Sequence, residues 1–88
     1  MSTRAVSTVV AANVNTPLLT VNVNRRSWSI YNPGPKAIDI YFDGGVVISF
    51  VIASTGYLLE NATPGYQGNV SATVEGGGPQ NVNVTEEF

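Results

Sequence analysis

Apolar and polar residues alternate in steps of two along most of this chain. From Arg26 to Asn32, Trp28 and Ile30 share one side, while Ser27, Ser29 and Tyr31 share the other. Between Ala37 and Asp43 the inward set is Ile38, Ile40 and Phe42, and the outward set carries Asp39 and Asp43. Leu19, Val21 and Val23 alternate with Thr20, Asn22 and Asn24. Val70, Ala72 and Val74 alternate with Ser71, Thr73 and Glu75, and Val82 and Val84 with Asn81, Asn83 and Thr85. This period predicts strands with one face buried. Val46 to Ala53 is apolar on both sides, which predicts a strand covered on both faces, the second by a neighbouring subunit. Residues 1–5 lack the alternation and predict a loose, flexible N-terminal arm. Glu86-Glu87-Phe88 predicts a loose C-terminal end.

Turn chemistry separates these segments. Asn32-Pro-Gly-Pro35 reads as a turn and Asp43-Gly-Gly45 as a tight hairpin. Ser54-Thr-Gly56, Thr63-Pro-Gly65 and Gly76-Gly-Gly-Pro79 read as further breaks. Val, Ile and Thr dominate between the turns, and no helical period competes with them. The prediction is an all-β chain, residues 1–88 forming a single domain. Its architecture is an antiparallel β-sandwich or jelly-roll-like barrel of about eight short strands.

Composition narrows the chemistry. The 88 residues contain no Cys and no His. Disulfides, zinc-thiolate sites, the commonest metal ligand and the commonest general base are therefore all missing, and no cofactor is expected. A domain this small has little stability to spare, so oligomerisation or docking on a larger assembly is the expected support. Only 11% of the residues are charged, against about 25% in typical soluble domains. Asn, Ser, Thr and Gly supply the polar surface instead, and such a surface can be covered without desolvating many ions. A net charge of −2, with Arg4, Arg25, Arg26 and Lys36 the only basic residues, argues against a nucleic-acid partner. The apolar run at 46–53 is far short of the about 18–20 residues of a membrane span. The N-terminus lacks an apolar core followed by a cleavage site, which predicts synthesis in a cytoplasm.

Each candidate site has a plain structural alternative. Asp39 and Asp43 sit four residues apart on one strand face, about 13 Å along it, which exceeds the spacing of glycosidase carboxylate pairs. They read as surface charge, and the chain reads as no enzyme, since no Ser or Thr has a His or Cys to activate it. Gly44-Gly45 and Gly76-Gly-Gly78 lack the following helix that a phosphate cradle needs, and they read as turns. Arg26 starts on the Trp28 face at its rim, so a partly buried structural ion pair with Glu60 is expected. Arg25 would then point outward, free for a partner. Tyr31, Tyr41, Tyr57, Tyr66 and Phe88 are the aromatics most able to be exposed. With Arg4 and Arg25 they form the expected partner interface, tyrosines contributing contact area at small entropic cost.

The order of segments carries a family resemblance. Arg-Arg-Ser-Trp-Ser-Ile-Tyr-Asn (25–32) resembles the Arg-x-x-Leu-x-Ile-x-Asn opening of small virion proteins of tailed bacteriophages. Ile-Asp-Ile-Tyr-Phe-Asp-Gly-Gly (38–45), Gly-Tyr-Leu-Leu-Glu (56–60), Gly-Asn-Val-Ser-Ala-Thr-Val (68–74) and Val-Asn-Val-Thr-Glu (82–86) continue it. The resemblance implies a β-sandwich on a phage particle, made in the host cytoplasm and resident in the virion. It implies a capsid decoration or cement protein seated over major capsid subunits as a homo-oligomer, a trimer being favoured. A tail, neck or head-fibre component, or a carbohydrate-binding module displayed on the particle, is the alternative. The 46–52 segment is more apolar than in similar chains, which favours the oligomer.

Overall fold

The structure, a computed structural model, describes residues 2–12, 14–60 and 66–88, with Glu60 described by its backbone alone. Eight strands form in chain order. They are β1 (Thr3–Val10), β2 (Thr16–Leu19), β3 (Ser27–Tyr31), β4 (Ile38–Phe42), β5 (Phe50–Ile52), β6 (Tyr57–Glu60), β7 (Val70–Val74) and β8 (Gln80–Glu87). They build two four-stranded antiparallel sheets, ordered β1-β8-β3-β6 and β2-β7-β4-β5. The pairing is nested: β1 with β8, β2 with β7, β3 with β6, β4 with β5. One long hairpin, bent back at the β4–β5 connection, has been wrapped over itself. Pairs β3–β8 and β4–β7 then close the two sheets. That order is the jelly roll, the double-sheet solution that leaves few strand edges.

The alternating positions explain why the wrap holds. Trp28 and Ile30 of β3, Val82 and Val84 of β8, Ile38 and Ile40 of β4, and Val70, Ala72 and Val74 of β7 are all buried in one core. Val10, Leu18, Leu19 and Ile52 complete it, with Phe42, Leu58 and Tyr66 packed against its margin. A β-bulge between Pro17 and Leu19 turns both leucines inward, which a regular strand could not do. The tight turn expected after β4 forms at Asp43-Gly44, both with positive φ (56° and 66°), and Gly45 N donates to Phe42 O at 3.0 Å. Glycine meets this left-handed geometry without steric cost.

Four expectations are corrected. The N-terminal residues are no loose arm, since Thr3, Arg4 and Ala5 pair with Glu87, Glu86 and Thr85. The C-terminal end is tied by the same ladder, and Phe88 N donates to Ser2 O at 2.8 Å. The strand expected through Val23 stops at Leu19, and Val21 and Val23 are exposed. There Asn22 Oδ1 accepts from Asn24 N at 3.0 Å and Asn22 O from Arg25 N, local bonds that outcompete a ladder. Finally, the strand expected over 46–53 is reduced to Phe50–Ile52, and residues 46–49 lie outside it. They form the protruding tip of the β4–β5 hairpin.

Candidate interaction surface

The tip is the most apolar exposed feature among the described residues. Val46 is 93% exposed and Val47 76%, and Ile48, Phe50 and Val51 are each about half exposed. Two links hold the tip to the body. Ser49 N donates to Ile40 O at 2.8 Å, and Phe50 packs on Phe42 with ring centroids 5.7 Å apart. Phe42 in turn meets Trp28 edge-on at 6.0 Å and stacks on Tyr66 at 4.6 Å. The exposed segment is thus held at its base by an aromatic chain that runs into the core. A monomer does not ordinarily present such a run to water, and apolar surface of this kind marks a contact site.

The outer face of the first sheet is different in character. Register places Ser7, Asn83, Tyr31 and Tyr57 in one row across its four strands, and Ala5, Thr85, Ser29 and Leu59 in the next. Both rows are uncharged. Tyr57 is 70% exposed and Tyr31 39%, so these two expected interface tyrosines stand side by side on the surface. The others do not join them. Tyr41 is half-buried, its hydroxyl within hydrogen-bond reach of Thr73 Oγ1 at 3.1 Å. Tyr66 is turned toward the core margin, and its hydroxyl donates to Asn69 O at 3.3 Å. Burial, with the neighbouring Asp43 carboxylate, pushes the Tyr66 phenol up to about 12. Phe88 is half-buried, and Arg4 is exposed with its Cα opposite Glu86.

Arg25, expected to point outward, is instead wholly buried. Its Nε donates to Glu86 Oε2 at 2.6 Å, its Nη1 to the carbonyls of Tyr66 and Gly68 at 3.1 and 3.0 Å, and its Nη2 to Thr20 O. Asn22 Nδ2 adds a bond to Glu86 Oε2 at 3.3 Å. One guanidinium therefore ties three segments: the β2–β3 loop, the chain entering β7, and β8. Only arginine offers a planar fork of donors able to do this. Arg26 is exposed, and the Glu60 side chain expected to pair with it lies outside the described residues. Of the arginine pair, it is the residue one position earlier that is buried, because the loop turns at Asn22–Arg25 before β3 begins. Glu86 was overlooked as a partner, although Val82, Val84 and Glu86 fall on one strand face, and a carboxylate there needs a cation.

Beside this clasp lies a groove of about 350 Å³ lined by Asn15, Leu19, Asp43, Asn69, Val70 and Ser71, among others. Asn69 Oδ1 accepts from Val21 N at 3.1 Å, and Asp43 N donates to Asn69 O at 2.9 Å, fixing two of its polar walls. Gly68 sits close behind, where a Cβ would collide with the Tyr66 hydroxyl and the Asp43 carboxylate. At the opposite end, buried Asn32 donates to the carbonyls of Lys36 and Ile52 at 2.8 and 3.0 Å and accepts from Gln80 Nε2 at 2.7 Å. These bonds pin the Asn32–Pro35 turn and are structural.

Asp39 and Asp43, considered together above, have separate surroundings. Asp39 points to the outer face of the second sheet yet is 9% exposed, and its Oδ1 has no hydrogen-bond partner among the described residues. Burial, and then the nearby Glu75 carboxylate, push its pKa up to about 6. Among the described residues, no three His, Cys, Asp or Glu side chains gather as a metal site.

Fold and surface together define an eight-stranded jelly roll with two uncharged rows on one sheet face and an apolar hairpin tip. No family model, curated protein or solved structure matches the chain.

Proposed function

We propose that this chain is a virion structural protein of a tailed bacteriophage, a decoration or cement protein that docks over major capsid subunits and stiffens the shell. The observation that carries the reading is the hairpin tip, where Val46, Val47 and Ile48 stand exposed beyond the aromatic base formed by Phe50 on Phe42. Burying the tip in a cleft of a larger assembly removes apolar area from water with no ion to desolvate. The two uncharged rows of the first sheet, with Tyr31 and Tyr57 adjacent, offer a second, flatter contact of the kind protein interfaces use. Jelly rolls serve in viral capsid domains, and the order of segments resembles phage virion proteins. Each contact is small, and several copies engaged at once hold firmly.

Co-sedimentation with emptied capsids of the encoding virus tests this. The wild-type chain should pellet with shells at a ratio of one copy or more per several capsid subunits. Val47→Asp and Phe50→Asp should weaken binding by about a hundredfold, the loss of a desolvated anchor, with the melting temperature of Val47→Asp unchanged. Wild-type protein that stays in the supernatant at every shell concentration sinks the proposal.

A second reading, sugar binding, draws on the groove. Its volume falls within the ~300–1,000 Å³ of small-ligand sites, and it sets Asp43, Asn15 and Asn69 around an apolar floor of Leu19 and Val70. A glycan array without a single positive at high protein concentration would remove it.

A further inference from the structure

Two four-stranded sheets have four edges, and three of them are blunted in ordinary ways. β5 is three residues long, β6 is four, and β2 is four with Pro17 and a bulge in it. Short strands, proline and bulges are the usual means of keeping other chains from adding to a sheet. The fourth edge, β1, has none of these. Thr3–Val10 runs for eight residues, paired in unbroken register with β8 on one side. No described segment pairs with its other side. Its sequence, Thr-Arg-Ala-Val-Ser-Thr-Val-Val, is rich in strand formers and carries a single charge, Arg4. Every second residue turns its N–H and C=O outward as an open template.

The face that β1 turns toward the second sheet is also incompletely covered. Val10 is fully buried, Thr8 half-buried, Val6 40% exposed and Arg4 exposed. The strand runs out past the layer that should cover it. We infer that this edge is the self-association site of the protein: β1 of one copy pairs antiparallel with β1 of a second copy, joining two sheets into one of eight strands.

Strand chemistry selects a second copy over an arbitrary strand. A two-fold axis normal to the sheet keeps each residue on its own face, so facing residues must share parity. The axis then passes through Val6 or through Ser7, the middle of the strand. On the Val6 axis, Val6 meets its own copy, Ala5 meets Ser7, and Arg4 meets Thr8. On the Ser7 axis, Val6 meets Thr8 and Arg4 meets Val10. In both registers the two Arg4 side chains are separated by at least roughly 13 Å along the ladder, beyond a Debye length at physiological salt. Like charges never face each other, and β-branched residues meet across the axis, as favoured cross-strand pairs do. The closed two-fold contact also occupies seven of the eight edge residues, so growth stops at two. This is a dimer, not the trimer expected from the resemblance, and it does not depend on what the hairpin tip binds.

A seven-residue ladder is small beside the ~1,000 Å² of a standard interface, so the dimer should be weak and concentration-dependent. Sedimentation of the full chain from about 5 µM to about 1 mM should show the mass rising from one chain to two. Val6→Lys places like charges at or beside the axis and should weaken association at least about tenfold. Ser7→Lys, on the exposed outer face, should do the same and serves where Val6→Lys disturbs folding. Because the chain has no cysteine, single Val6→Cys and Ser7→Cys variants report the register directly. One of them should oxidise to a covalent dimer faster than Val47→Cys on the tip. A wild-type mass fixed at one chain, a mass reaching three, or association lost on Val47→Asp but kept in Ser7→Lys would each overturn the inference.

Discussion

A single residue decides whether one end of this sandwich exists. Among the described residues Arg25 is the only charged side chain fully withdrawn from water, and its cost is met by Glu86 and three backbone carbonyls. Removing one partner of such a pair strands the other as a buried charge, which costs about 3–5 kcal/mol. Small domains have only about 5–15 kcal/mol in total. Glu86→Ala is therefore expected to unfold in denaturant far earlier than wild type, whereas Arg26→Ala, exposed one position later, should shift the midpoint little. Asp39 makes a prediction of opposite character. Its folded-state value of about 6 lies above the ordinary carboxylate value of 3.8, so the folded chain holds this proton more tightly than the unfolded one. Its favourable contribution is complete below about pH 4 and is lost as the pH rises through 6. Asp39→Asn should abolish that part of the pH dependence. Thermal melts at intervals between pH 4 and pH 7 measure it, and an identical slope in the variant would contradict the assignment.

At the scale of the strand, alternation was a sound guide wherever both neighbours of a strand are present. β3, β4, β7 and β8 sit inside the sheets, and Trp28, Ile30, Ile38, Ile40, Val70, Ala72, Val74, Val82 and Val84 are buried as their period demands. The turn at Asp43-Gly44 was equally legible, since few residues accept positive φ at two successive positions, but it closes no tight hairpin, because β5 begins only at Phe50. Failures cluster at ends and edges. The Val21–Val23 alternation was indistinguishable from a strand, but Asn22 and the buried guanidinium claim the backbone groups that a ladder would need. An unbroken apolar run does not fix its own conformation, so Val46–Ile48, read as strand, lies in the exposed connection that precedes β5. β1 showed no period because most of both its faces meet water, and a half-exposed edge strand has no reason to alternate. The surface was legible only in part: Tyr31 and Tyr57 are exposed as expected, whereas the burial of Arg25 against Glu86 was not foreseen.

For the molecule as a whole, the nested pairing is the dominant fact. Thr3 lies opposite Glu87, and Ser2 and Phe88 exchange backbone hydrogen bonds of 2.5 and 2.8 Å. Contacts this remote in sequence close large loops before they are rewarded, which places folding in the range of milliseconds to seconds. Stopped-flow refolding monitored by Trp28 fluorescence should show that slow phase, and a chain ending at Pro79 should have no folded baseline, since it lacks Glu86 and the only partner of β1.

The same nesting sets an order of events during synthesis. Of the eight strands β1 leaves the ribosome before the other seven and its hydrogen-bonding partner β8 after them, so β1 waits unpaired while the strands between are translated. If β1 edges pair as inferred, nascent copies on one messenger bring matching strands side by side, and fast completion of each chain then limits premature pairing.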